Sequence, residues 1–529
     1  MTGRAISRWT LAAFLGVALC GVLLRPLMPI DETRYLAVAW EMWLSGDYLV
    51  PTKNFELYAH KPPLLFWLIN LVWSFTGVSE LAARLVGPVA ATLTIGLTGH
   101  LASRLWPDDD RIGARATLAL AGMMLFAVSG SLTMFDALLA LTTVAAMVAL
   151  VAAVQRPGLR WWIALGVAIG LGVLAKGPVI LIHTLPAMLA VPLWTGPAER
   201  LSTRQLAGRL ALALAVALAI VAIWLVPAIV TGGPDYREAV LWTQNAGRMA
   251  QSFAHARPWW FFLALLPLLL FPWILVPAIW RAAARTGWSD GGMRLAAVWA
   301  LSAMVLFSLI SGKQLHYLIP ELPAAALIVA RLTHGLTFRP VLPAILVIIA
   351  ALAGIAASAG LLPLGETERL FQPDTALLAW GLFVLAACWI ALQRGGLEGT
   401  AVLTLGLILS FNLLIGLTAA ATIYDTNPMA RLLAPQEADG IAAYGQTYHA
   451  EFNFAGRLTA PVASPASLDE LQEWALSHPR GVIVARPDRT APPWQPRETV
   501  LFRNSPYAIW HVADAPKPFP AKSTSEPTS

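Results

Sequence analysis

The sequence predicts an all-α polytopic membrane protein that ends in a small soluble α/β domain, and three observations carry that prediction. Apolar residues fill 57% of the 529 positions and charged residues only 12%. Mean hydropathy is +0.65, outside the range of soluble globular chains. Apolar runs of spanning length recur until residue 422, and an ordinary soluble composition begins only after Ile423. The net charge of +6 is explained by arginines on short loops, so nucleic-acid binding is excluded as a reading. Cys20 and Cys388 lie inside apolar runs and read as small buried hydrophobes.

Trp9 to Leu24, preceded by Arg4 and Arg8, is longer than the apolar core of a signal peptide and has no A-x-A-like cleavage site behind it, so it is expected to be an uncleaved first span with a cytoplasmic N-terminus. Further spans are expected at about 81–103, 116–129, 135–154, 161–175, 178–195, 209–231, 259–280, 295–311, 315–330, 341–363, 375–392 and 400–422, about thirteen in all. Pro62 to Gly77 is apolar but short, and whether it crosses inverts every later loop. Arginine placement favours an interfacial position, since Arg104, Arg111, Arg115, Arg156, Arg160, Arg200, Arg204, Arg209, Arg281, Arg285, Arg294, Arg331, Arg339 and Arg394 then face the cytoplasm. The same topology gathers Asp31, Lys61, Asp136, Lys176, His255, Arg257, Lys313 and His316 on the outer face, where they are expected to converge.

Met28 to Glu80 and Thr231 to Pro258 are the long outer segments, suited to roofing a site, and the first is expected to carry helices along the membrane surface. The domains expected are a transmembrane one over 1–423, an outer soluble one over 424–514, and a disordered Pro/Lys/Ser/Thr-rich tail over 515–529. In the soluble part Ser467-Leu468-Asp469-Glu470 has capping-box spacing, and Gly481 to Ala485 reads as a buried strand.

The polar residues that interrupt this pattern are the candidates for chemistry. Asp31 follows the first span and is either a general base or cation ligand, or a solvated loop acid. Glu32 and Arg34 are expected to pair with each other or with water. Lys61, between His60 and Pro62-Pro63, is either a phosphate-neutralising ammonium with its direction fixed by the prolines or a snorkelling interface lysine. Asp136 breaks an apolar run in which a carboxylate costs about 2.5–3.5 kcal/mol at a helix centre, and this favours function; a helix-N-terminal charge is compatible with it. Lys176 and Lys313 mark tight outer turns, where lysine is disfavoured by the positive-inside bias, and so point to phosphate contacts. Arg257 is placed to clamp a phosphate, while His255 with His60 or Asp31 would be a weakly spaced set of ligands for a divalent ion.

In order and sidedness, Asp31-Glu32-Thr33-Arg34-Tyr35 through Ser45-Gly46-Asp47, Lys61-Pro62, Asp136, Lys176-Gly177, Arg257-Pro258-Trp259-Trp260 and Gly312-Lys313-Gln314 with His316-Tyr317 resemble the bacterial membrane glycosyltransferases related to protein O-mannosyltransferases and 4-amino-4-deoxy-L-arabinose lipid A transferase. The resemblance spans the transmembrane region and implies a GT-C fold in the bacterial inner membrane. It implies inverting sugar transfer from a polyprenyl (undecaprenyl) phosphate donor to a lipid, glycan or protein acceptor on the periplasmic side. By the same resemblance Asp31 and Asp136 are the catalytic acids, with Glu32, Lys61, Lys176, Arg257, Lys313, His316 and Tyr317 around the substrate. His60 stands where the arabinose transferases have Glu, a departure that bears on the acceptor and on any metal held with His255. A transporter or flippase of lipid-linked sugars is the rival class; it predicts inverted repeats with charges at the midplane, whereas here the charges collect at one surface and no repeat is apparent.

Overall fold

The computed structural model describes residues 2–197, 200–241, 256–371 and 375–516. They form two compact units, each made of two separate stretches: Met1–Leu24 with Ala59–Thr418, and Arg25–Tyr58 with Ala419–Ser529. A division at residue 423 follows hydropathy; the packing follows a different one, in which the first outer segment shares a core with the C-terminal part.

In the first unit, nine helices among the described residues are long and apolar enough to cross a membrane: Gly3–Leu24, Glu80–Leu105, Phe135–Gln155, Thr203–Thr231, Gly291–Leu309, Leu315–Leu332, Val341–Ser358, Thr375–Arg394 and Gly396–Gly416. The other four expected spans fall on the 17-residue helix Arg160–Lys176 and on three interrupted stretches. One breaks between Ile112–Ala121 and Met124–Ser129, and another between Ile180–Leu189 and Val191–Trp194. The third is split into Phe261–Leu269, Trp273–Leu275 and Pro277–Arg285, with Pro267, Pro272 and Pro277 removing the donors a continuous helix needs. Leu64–Thr76 has 13 residues. At ~1.5 Å per residue it falls well short of the hydrocarbon thickness, as an interfacial helix would.

Phe135–Gln155 is the axis of this unit. It packs along Glu80–Leu105 on one side and Arg160–Lys176 on the other, and its residues Leu139, Val144, Met147 and Leu150 are buried in the largest core cluster. Arg160–Lys176 in turn lies against Thr203–Thr231 through small residues. A side chain at Gly166 would put a Cβ 2.4 Å from the Ala213 carbonyl, and one at Gly170 would stand 2.9 Å from Ile220.

The second unit begins with helix Asp31–Ser45 and the hairpin β1 (Thr52–Lys53) and β2 (Glu56–Leu57). Asn54 and Phe55 turn this hairpin with positive φ, as a two-residue turn requires. Glu41 of the helix organises it, accepting from Thr52 Oγ1 and Asn54 N at 2.7 Å and from Phe55 N at 2.8 Å. The segment is tied to the C-terminal part by Trp40 Nε1 donating to the Leu458 carbonyl at 2.8 Å and by Asn54, which exchanges two 2.9 Å bonds with the Val462 backbone.

The C-terminal part holds a four-stranded sheet of β3 (Ile441–Ala443), β4 (Val482–Ala485), β5 (Glu498–Phe502) and β6 (Ser505–His511) in the order β3-β4-β6-β5. β3 and β4 are parallel, joined through helix Leu468–Ser477, and the other pairs are antiparallel. This is the small α/β fold expected, and β4 is buried at every position, as its apolar run implies. Ser467 caps the helix by accepting from Glu470 N at 3.2 Å, while the Glu470 carboxylate accepts from Ala466 N, one residue before the cap. Beyond 516 the expected disordered tail lies outside the described residues.

Candidate active site

In the first unit the helix dipoles explain where charge is tolerated. Asp136 lies in the first turn of Phe135–Gln155 and Lys176 in the last turn of its neighbour Arg160–Lys176, so each charge meets the helix end that favours it. Gly177, at φ 83°, turns the chain directly after Lys176. Lys176 Nζ donates to Asp136 Oδ1 at 2.5 Å, and both side chains are nearly buried. The burial cost of the carboxylate is thus offset by a specific cation and hydrogen bond.

Other expected residues gather around this pair. His316 and Lys61 are the other groups whose electrostatics act on the Asp136 carboxylate. Lys61 Nζ lies 5.7 Å above the Phe135 ring, and Lys176 Nζ 5.3 Å above the Tyr317 ring. Tyr317 packs edge-on to His316 at 5.1 Å. Four of the expected residues, Lys61, Asp136, Lys176 and His316, therefore form one electrostatic group, with Tyr317 as its aromatic floor.

Lys313 and Arg257 are brought together by backbone. Ala256 bridges Gly312, and Arg257 N donates to the Ser311 carbonyl at 3.1 Å. The buried Lys313 ammonium donates to the carbonyls of Arg257 at 2.9 Å and Ile310 at 2.5 Å, leaving one proton for a ligand. It therefore staples this loop as well as supplying charge.

Asp31 belongs to the second unit. It opens helix Asp31–Ser45, pairs with Arg34, and accepts from the Tyr35 hydroxyl at 3.0 Å, with its side chain 45% exposed. Arg34 thus pairs with Asp31. Glu32 is buried and accepts from Met28 N at 3.0 Å, which is a helix-starting contact. Around Asp31, sequence reading named Tyr35 only as part of its motif and did not name His449 or Lys53. Burial, and then the Asp31 charge, push the Tyr35 phenol well above its usual range. Burial, Lys53, Arg34 and Arg503 push the His449 imidazole down. Burial and Arg34 push down the Lys53 amine. None of these residues breaks an apolar run, so hydropathy gave no signal for them.

His255 lies outside the described residues. Among the described residues no three His, Cys, Asp or Glu side chains group closely enough to hold a metal ion.

Residues 60–226 match the family described as dolichyl-phosphate-mannose-protein mannosyltransferase. The chain is 34% identical over 319 residues to the undecaprenyl phosphate-alpha-4-amino-4-deoxy-L-arabinose arabinosyl transferase of Pseudomonas aeruginosa (strain UCBPP-PA14), covering 58% of this chain and 55% of that protein. It is 30% identical over 341 residues to arabinosyl transferase 2 of Pseudomonas fluorescens (strain Pf0-1), covering 63% and 60%. The matched region thus spans less than two thirds of these relatives. In three dimensions ArnT of Cupriavidus metallidurans, solved bound to undecaprenyl phosphate, superimposes with a TM-score of 0.73 at 22% identity, over 96% of this chain and 98% of that one. The chain therefore has the ArnT fold of the GT-C class, and in sequence it is similar to the 4-amino-4-deoxy-L-arabinose transferases and the protein O-mannosyltransferases.

Proposed function

We propose that the protein is an inner-membrane glycosyltransferase that moves a sugar from undecaprenyl phosphate to an extracytoplasmic acceptor of the lipid A type. The observation that carries this reading is the buried Asp136–Lys176 pair, with Lys61 and His316 acting on the same carboxylate and Tyr317 beneath the amine. Fixed cations in a dry setting suit a leaving group that gains charge as its bond breaks.

In the reaction an acceptor oxygen attacks the anomeric carbon from the face opposite the leaving group, the C–O bond to the lipid phosphate breaks, and configuration inverts. Lys176 spends one of its three protons on Asp136 and keeps the others for phosphate oxygens. Asp136 orients that amine. Lys61, Arg257 and Lys313 supply further positive charge to the same phosphate. Asp31, half-exposed and oriented by Arg34 and Tyr35, accepts or orients the proton of the attacking hydroxyl. The topology that goes with this reading has a cytoplasmic N-terminus and the polar cluster on the periplasmic side, as the arginine distribution favours.

The test is sugar transfer by the purified chain in detergent, from preloaded undecaprenyl-phosphate aminoarabinose to lipid A. Wild type is expected to transfer and Asp31→Asn to lose transfer. A wild-type protein that moves lipid-linked sugar across a vesicle membrane without transferring it would replace the reading with the transporter one. Cysteine labelling of the 424–514 region from one side of the membrane tests the topology.

A further inference from the structure

His183 and Glu321 are ionisable groups deep inside the first unit that the chemistry above does not use. His183 lies on helix Ile180–Leu189 and Glu321 ends the 3-10 segment Leu315–Glu321. Their side chains are 0% and 6% exposed, and His183 Nδ1 meets Glu321 Oε1 at 2.5 Å. His183 Nε2 and Glu321 Oε2 are buried with no hydrogen-bond partner among the described residues. A pair of this kind is weak evidence for stability, because desolvating both groups opposes their attraction and an apolar pair of similar size is often as stable. An ionisable pair among spanning helices calls for another role.

Its place in the chain suggests that role. Helix Ile180–Leu189 starts just after Lys176-Gly177-Pro178-Val179, and the Glu321 segment begins with Leu315, His316 and Tyr317. The His183 ring packs on Phe307 at 5.3 Å and Phe307 on Tyr317 at 5.6 Å, while the Tyr317 ring receives Lys176 Nζ at 5.3 Å. The contacts close a ring: from Lys176 along the chain to His183, across to Glu321, back along the chain to Tyr317, and through its face to Lys176. We propose that the His183–Glu321 hydrogen bond is a positioning clamp that locks the helix following Lys176 and the segment bearing Tyr317 in register, so that the amine is held for a lipid-linked phosphate. The inference rests on the donor-phosphate reading of that group. A hydrogen bond suits the task better than packing, because it has one distance and one direction, whereas apolar contacts tolerate sliding.

The test compares the full chain in nanodiscs as wild type, Glu321→Gln, Glu321→Met and His183→Leu/Glu321→Leu, reading kcat, donor KM, melting temperature and affinity for undecaprenyl phosphate. The clamp predicts that the double variant melts within a few degrees of wild type while kcat falls about tenfold and undecaprenyl phosphate binds about tenfold more weakly. Glu321→Gln, which can still bond His183, keeps kcat within about threefold, and Glu321→Met does not. A double variant with wild-type kcat and lipid affinity overturns the proposal. If that variant does not fold, equal kcat in the Gln and Met variants overturns it instead. If wild type transfers no sugar, the enzymatic reading falls, and the binding measurement alone decides the clamp.

Discussion

Asp31 and Asp136 are both carboxylates in the first turn of a helix, yet they sit in opposite environments. Asp136 is 2% exposed and bonded to a lysine that is almost as buried. Asp31 keeps 45% of its side chain open and holds an arginine and a phenol. A charge that cannot reach water must keep its partner, so Asp136 is suited to orienting a cation and ill suited to exchanging protons. A half-open carboxylate can meet a substrate hydroxyl and pass its proton on. In the proposed reaction the labour divides by dielectric: the dry acid would set geometry, and the wet acid would do proton chemistry.

The largest expected effect separates the two acids kinetically. Asp31→Asn should lower kcat by about 10²–10⁴-fold, the usual share of a general base, with the melting temperature unchanged. A similar drop in melting temperature would mean that Asp31 is structural. Asp136→Leu should instead destabilise the first unit by about 3–5 kcal/mol by leaving Lys176 buried and uncompensated. Adding Lys176→Met should restore most of that stability without restoring transfer, and thermal unfolding in detergent reads both steps. Full rescue of activity by the double substitution would contradict the role given to the pair.

A smaller effect is expected in the second unit. Glu41→Ala removes the acceptor of three hydrogen bonds in the β1–β2 hairpin. It should cost about 1–3 kcal/mol locally, seen as faster amide exchange at Asn54 and Phe55 with little change at β4. The smallest is a pH effect. With its folded pKa below 6.5, His449 contributes stability that is complete above 6.5 and is lost as pH falls through the folded value. Glu451, pushed up by burial, works in the opposite sense, its contribution being lost as pH rises above 4.5. After correction for the intrinsic pH dependence of exchange, the His449 component should lower amide protection around residues 448–454 on acidification below pH 6.5, and His449→Gln should remove that component while leaving the opposing Glu451 one.

Much of the candidate site was legible because apolar surroundings make charge conspicuous. Asp136, Lys176 and Lys313 each interrupt a hydrophobic run, and Lys176 is followed by a glycine turn. Glu32 was legible as charge, whereas its contact with Met28 N is set only by the folded helix start. His449 and Lys53 lie in ordinary soluble sequence, and they enter the Asp31 neighbourhood only because distant segments fold together in the second unit.

The sequence by itself determined that the chain is a membrane protein, where its long apolar helices run, and that its few embedded charges need partners, because each of these follows from transfer free energy along a line of residues. Tertiary structure alone decided which helices face protein and which face outward. Apolar 18-residue stretches of Phe135–Gln155 and Thr203–Thr231 have mean hydropathies of 2.5 and 2.8, yet 83% of the first is buried inside the protein and only 22% of the second. Lipid and protein interior are alike to a leucine, so hydropathy cannot separate them. Only packing brings His183 to Glu321 across 138 residues and gathers Arg25–Tyr58 into the C-terminal core, since those partners are set by shape and hydrogen-bond direction.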